Sequence, residues 1–210
     1  MASETAGPES DRRRRGSYAK TPQRRRDIVE AAAAVFADKG YSGGSLRQVA
    51  KEIGVSVTSV MHHFPSKEVL LEAVLEHADA EAAREIDLDA GRDGLRGTVV
   101  RLAQTGQDHP NLLRLLAVLS AEASAPEHPA HDWFVERYRR VEETAAGWAE
   151  ADRTSGLDPA GSRLLARRVI ALWDGLQLQW LLRRDFDLVA ELDAGVAALM
   201  EQARRTEPVR

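Results

Sequence analysis

The stretch SLRQVAKEIGVSVTSVMHHF, residues 45 to 64, limits what this chain can fold into more than any other part of it. Ser45 stands where a side-chain oxygen caps a helix, and the apolar positions that follow, Leu46, Val49, Ala50 and Ile53, share one face at helical spacing. Gly54 supplies the left-handed backbone that ends this helix. Ser56 then caps a second helix, in which Val60 and Phe64, four apart, point inward. Two short helices joined by a tight turn containing glycine make a helix-turn-helix. Neither survives alone in water, so both need a third element to pack on.

That element lies upstream. Thr21-Pro22 reads as an N-cap with proline at the first helical position, and Ile28, Ala31, Ala32, Val35 and Phe36 draw an apolar stripe up to Gly40. Packing on this helix leaves Val57, Thr58, Ser59, Met61, His62 and His63 on or near the outward face of the second short helix. Such short, mixed side chains suit a major groove about 12 Å wide. Arg47, Lys51 and Lys67 bring positive charge toward phosphates, and the backbone N–H groups near Ser45 add an uncharged contact. The chain is −4 overall, yet residues 11 to 67 are rich in Arg and Lys while the remainder is acidic. A polyanion partner at one end fits that asymmetry, and a merely solvated charge face is the alternative. The adjacent histidines do not form a metal pair, because neighbouring helical side chains diverge by about 100°.

From Arg24 to Leu75 the sequence resembles the DNA-binding domain of the TetR family of bacterial transcriptional regulators. The residues that carry the likeness are Ala32, Val35, Phe36 and Gly40-Tyr41, then Ser45-Leu46-Arg47-Gln48-Val49-Ala50, Gly54-Val55-Ser56, and His63-Phe64-Pro65-Ser66-Lys67-Glu68-Val69-Leu70. The resemblance implies that Ser45, Arg47 and Gln48 belong to a supporting helix. It places Val57, Thr58, Ser59, His62 and His63 on the reading helix, and Lys67 on a phosphate. Thr58 departs from a usual small residue, and Met61 stands where a tyrosine typically reaches a phosphate, so that anchor is expected to be lost. The run Arg12 to Arg15 either compensates, at phosphates or a minor groove, or is a solvated tail.

Beyond Ser66 the periodicity is helical throughout, through Leu70, Ala73 and Val74, then Leu95, Val99 and Leu102, then Leu112, Leu115 and Leu119, then Phe134, Tyr138, Val141, Ala145 and Trp148. Breaks fall at residues 86–94, 124–131 and 153–161, where Gly, Pro and Asp gather. No strand pattern interrupts them, so the expected fold is all-α: an N-terminal three-helix head and a C-terminal helical body. The expected division is an arm over 1–20, disordered and basic, a helix-turn-helix domain over 21–66, a ligand-binding and dimerisation domain over 67–204 and a tail over 205–210.

The segment from about 159 to 182 is apolar on nearly every face, from Leu164 and Leu165 to Leu181 and Leu182, and keeps only Arg163, Arg167, Asp174 and Gln177 as a narrow polar stripe. Such a helix must be covered on more than one side. A second subunit joined by the last helix, with Leu188, Leu192, Val196 and Leu199, is one cover, and a monomeric bundle is the other. The tryptophans Trp133, Trp148, Trp173 and Trp180, with Tyr138, Asp174 and Gln177, line either an apolar ligand cavity or a plain core and dimer contact.

His128 and His131 flank a proline in a loop, which favours a surface turn over a metal pair. The absence of cysteine removes thiolate chemistry, and no phosphate loop or nucleophile elbow is present. No apolar run reaches the ~18 residues of a membrane span. The expectation is a cytoplasmic, non-enzymatic regulator with no cofactor or metal and no membrane partner. As the resemblance implies, it acts as a homodimer joined through its last two helices and as a repressor that leaves a double-stranded DNA operator when a small molecule binds. A ligand-insensitive DNA-organising protein and an α-helical metal protein or enzyme are the alternatives.

Overall fold

The computed structural model describes residues 8–87, 94–152 and 156–206. Among them are nine helices and no strand: α1 Pro8–Gly43, α2 Leu46–Glu52, α3 Val57–His63, α4 Lys67–Asp87, α5 Gly94–Asp108, α6 Pro110–Glu122, α7 His131–Ala151, α8 Pro159–Arg183 and α9 Leu188–Thr206. The expected all-α class is what the chain adopts. Two compact units divide it, Met1–Val74 and Leu75–Arg210, and α4 runs through the division. Among the described residues, no helix is long and apolar enough to cross a membrane.

In the first unit, α1 begins upstream of the start expected at Thr21-Pro22, and Pro22 lies within it. Apolar periodicity cannot register a helical turn whose sequence carries no apolar stripe, and arginine is itself a good helix former. The side chains of Arg12 to Arg15 lie outside the described residues. At Gly40 the backbone turns to φ 70°, ψ 175°, which interrupts the helix where the stripe ends. Gly44 follows, buried against α1: a Cβ there would sit 2.8 Å from Phe36 Cδ1, so only glycine lets the chain cross that ring.

The core of this unit joins Ile28, Ala32 and Phe36 of α1, Val49 of α2, Val60 of α3, Phe64, and Leu70, Leu71 and Val74 of α4, all buried. Each of the larger side chains contributes about 1.5–3 kcal/mol by leaving water, and that burial holds helices too short to stand alone.

In the second unit, α7 and α8 pack along small side chains, with Ala145, Ala149 and Ala166 buried at their contact with Leu165 and Val169. Asp158 caps α8 by accepting from Gly161 N at 2.7 Å, with Pro159 behind it. Arg184 ends it in the left-handed conformation. Asp187 starts α9, its Oδ1 accepting from Val189 N and Ala190 N at 3.0 and 3.1 Å. Arg96 of α5 grips Asp193 of α9 through two parallel bonds of 2.6 and 2.7 Å, and Arg167 of α8 grips Glu142 of α7 in the same way.

The polar stripe expected on α8 divides. Arg163 and Arg167 face solvent, whereas Gln177 is 7% exposed and Asp174 is half-buried. Beside that stripe Leu164, Leu178 and Leu182 are exposed, Leu182 at 75%.

Candidate nucleic-acid interface and cavity

Three serines set the backbone of the head. Ser45 accepts from Gln48 N at 3.3 Å, Ser56 from Ser59 N at 3.1 Å and Ser66 from Val69 N at 3.3 Å, each satisfying a donor that a helix start leaves open. The Ser45 hydroxyl also donates to Gln48 Oε1 at 2.9 Å, which steadies the Gln48 side chain. Between α2 and α3 the chain closes a Schellman turn: Val55 N reaches the Ala50 carbonyl at 2.9 Å and Gly54 N the Lys51 carbonyl at 3.2 Å. Gly54 has φ 67°, and a Cβ there would meet nothing within 4 Å. Its requirement for glycine is therefore conformational rather than steric.

This turn fixes which side of α3 faces out. Val60 and the following Phe64 are fully buried. Thr58, Met61 and His62 are exposed, Met61 at 48%, while Val57, Ser59 and His63 are half-buried. The His62 and His63 rings meet edge to face with centroids 5.5 Å apart. Burial lowers the His63 pKa first, and His62, Arg24 and Arg25 lower it further, so His63 is held toward its neutral form. Arg24, Arg25, Arg47 and Lys51 are exposed, and Arg25 lies 4.8 Å over the Phe64 ring. Lys67 is half-buried, its Nζ 4.1 Å above the Tyr41 ring, and the Tyr41 hydroxyl donates to Glu68 at 2.9 Å. Burial, then the hydrogen bond to Glu68, raises the Tyr41 pKa to about 12, so it stays neutral under the lysine. This Tyr41 platform is the feature that sequence reasoning missed. A buried tyrosine beside a helix end gives no periodic signal.

The second unit holds a partly open cavity of about 170 Å³. Tyr138, Trp148, Trp173, Asp174 and Gln177 line it, with Arg137 and Phe134. Trp133 and Trp180 are not among the lining residues: Trp133 meets Phe134 edge to face with centroids 4.9 Å apart, and Trp180 is buried in the core with Arg184 over its ring. Asp174 anchors a polar cluster in this apolar wall. Its Oδ2 accepts from the Tyr138 hydroxyl at 2.8 Å, and its Oδ1 from Gln177 Nε2 at 3.1 Å. Burial pushes the Asp174 carboxyl up against the lowering effect of Tyr138 and Arg137. Burial and then the Asp174 charge raise Tyr138 to about 12. Arg137, which sequence reasoning also missed, donates from Nε to Asp79 of α4 at 3.0 Å, and Arg140 donates to the same carboxylate at 2.8 Å. In the expected turn, His131 Nδ1 lies 2.8 Å from the Ala123 carbonyl, and Ala130 N donates to His128 Nδ1 at 3.1 Å. Both rings thus bond backbone groups.

Residues 28–74 match the model described as bacterial regulatory proteins, tetR family. The chain is 27% identical over 192 residues to the A-factor receptor protein of Streptomyces griseus, covering 88% of this chain and 61% of that one. It is 32% identical over 111 residues to the HTH-type transcriptional repressor NicS of Pseudomonas putida, covering 50% of this chain and 52% of that protein. It therefore spans less than two thirds of the length of both relatives. A TetR-family regulator structure from Rhodococcus sp. superposes with a TM-score of 0.63 at 26% identity, covering 84% of this chain and 98% of that one. The capped helices, the Schellman turn and the half-exposed α3 all fall inside the matched residues, so residues 28–74 form a DNA-binding domain of the tetR type of bacterial regulatory proteins.

Proposed function

We propose that this chain is a ligand-responsive, sequence-specific DNA-binding regulator of transcription, acting as a repressor that leaves its operator when a small molecule enters the cavity. The observation that carries this reading is the division of α3. Val60 and the adjoining Phe64 anchor one side in the core, Thr58, Met61 and His62 are exposed on the other, and Arg47 and Lys51 of the supporting helix are exposed as well. A rod anchored in this way can enter a major groove without unfolding its own support. The names of the relatives agree, one a receptor and the other a transcriptional repressor. Ser45, Arg47 and Lys67 contact phosphates, Gln48 flanks them, and Val57, Thr58, Ser59, His62 and His63 face the bases. Met61, without a hydroxyl, contributes apolar contact only.

The active species in this reading is a homodimer joined through α8 and α9. Leu164, Ala171, Gly175, Leu178 and Leu182 form an exposed stripe at helical spacing on α8, and a second copy supplies its cover. Arg137 supplies a route for ligand response. It lines the cavity and holds Asp79 of α4, a helix whose first turns belong to the DNA-binding unit. A ligand acts through its difference in affinity between two settings of that contact.

Selection of genomic fragments by the purified chain tests the reading. The expected result is one recurring palindrome bound at least about 10³-fold tighter than random DNA. His62→Ala should reduce that ratio. Lys67→Ala should weaken both DNAs alike and lower the salt slope by about 1. Equal affinity for all fragments would replace this reading with that of a DNA-organising protein.

A further inference from the structure

The two ionisable side chains of opposite sign in the cavity wall differ in their partners. The lining includes one basic and one acidic side chain, Arg137 and Asp174. Arg137 is engaged with Asp79 at 3.0 Å. Among the described residues, no cation stands within ion-pair distance of Asp174, whose oxygens are held by two neutral donors, Tyr138 and Gln177. Those donors fix the plane of the carboxylate without cancelling its charge. Burial meanwhile disfavours that charge, as the raised carboxyl pKa records. The same wall includes Phe134, Trp148 and Trp173, and aromatic faces attract cations while repelling anions. The volume, about 170 Å³, is close to that of hydrocarbon cavities of ~150 Å³ that hold one benzene.

Resting on the reading of this cavity as the effector site, we propose that the effector is a small organic cation, a protonated or quaternary amine on a compact apolar body. Its nitrogen lies against Asp174 and its body among the indoles of Trp148 and Trp173. The cation supplies the direct countercharge that Tyr138 and Gln177 do not, and that Arg137, engaged with Asp79, gives Asp174 only from beyond ion-pair distance.

Benzylamine, benzyl alcohol and benzoate present one ring with a positive, neutral and negative head at pH 7. Each is titrated into the full chain, followed by tryptophan fluorescence and calorimetry. Benzylamine is expected to bind at least tenfold tighter than benzyl alcohol, with benzoate weakest. Asp174→Asn should erase that order and Asp174→Glu should retain it. The cation assignment is overturned if benzyl alcohol or benzoate matches benzylamine, if none of the three binds, or if Asp174→Asn keeps the preference. Should Asp174→Asn fail to fold by circular dichroism, the order measured on the unsubstituted chain decides alone. The effector reading fails separately: a compound that fills the cavity by fluorescence yet leaves affinity for the selected DNA unchanged removes the cavity from regulation while leaving its charge preference intact.

Discussion

Helices α3 and α8 meet the same problem in opposite ways. Each must bury an apolar face and place a few polar groups where another molecule can reach them. In α3 the apolar anchor turns inward at Val60, and the polar side chains turn outward. In α8 the polar pair Asp174 and Gln177 turns inward to the cavity wall, and leucines turn outward at Leu164, Leu178 and Leu182. The difference matches the partners proposed above. A DNA groove is wet and charged, so the side chains that meet it stay hydrated until contact. A small ligand is enclosed, so the groups that orient it are desolvated in advance and held by Tyr138.

The strongest way to break this contrast is to remove the α3 anchor. Phe64→Ala is expected to cost the first unit about 3–5 kcal/mol, enough to unfold a small domain. All four tryptophans lie in the second unit, so their fluorescence transition should persist while far-ultraviolet circular dichroism and DNA binding fall. A fluorescence transition lost at the same midpoint would show that the two units do not fold independently.

Next in size is the outward face of α8. Leu178→Asp with Leu182→Asp would bury unpaired charge in the proposed dimer contact, costing about 3 kcal/mol and weakening association roughly a hundredfold. Sedimentation equilibrium reads this directly, and an unchanged dimer would place the contact elsewhere.

The cavity cluster should respond more mildly. Tyr138→Phe removes one donor from a desolvated carboxylate, at a cost of about 1–3 kcal/mol by denaturant titration. It should also steepen the pH dependence. The folded Asp174 carboxyl has its pKa raised above the unfolded value, so the unfolded state ionises first and stability falls as pH rises through the carboxylate range. Losing a donor that lowers this pKa enlarges that fall. Gly54→Ala should have the smallest effect, about 1 kcal/mol, since its Cβ meets nothing and only the positive φ is strained. A loss far above that would mean the α2–α3 turn is tighter than its geometry indicates.

The head was legible because its information is local. Ser45 and Ser56 cap the helices three residues ahead of the donors they satisfy, Gly54 marks a turn by its own backbone, and Val60 and Phe64 declare their face by spacing alone. The start of α1 was not, because a helical segment whose sequence carries no apolar stripe leaves no periodic trace. In the body, helix positions and the surplus of apolar residues on α8 were readable, and so were the cavity candidates Tyr138, Trp148, Trp173, Asp174 and Gln177 as residue types. Trp133 was indistinguishable from them in sequence and turned aside onto Phe134.

Sequence by itself determined the all-α class, the order of the helices and the exposed face of the reading helix, since each depends on residues within a turn or two of one another. Only tertiary structure decided that Lys67 rests on Tyr41, that Arg137 joins the cavity wall to Asp79, and that Asp174 meets the Tyr138 hydroxyl in place of a cation. Those pairings link residues tens of positions apart. Which partner a charge finds at that range depends on how the helices pack, and apolar spacing along one helix carries no record of it.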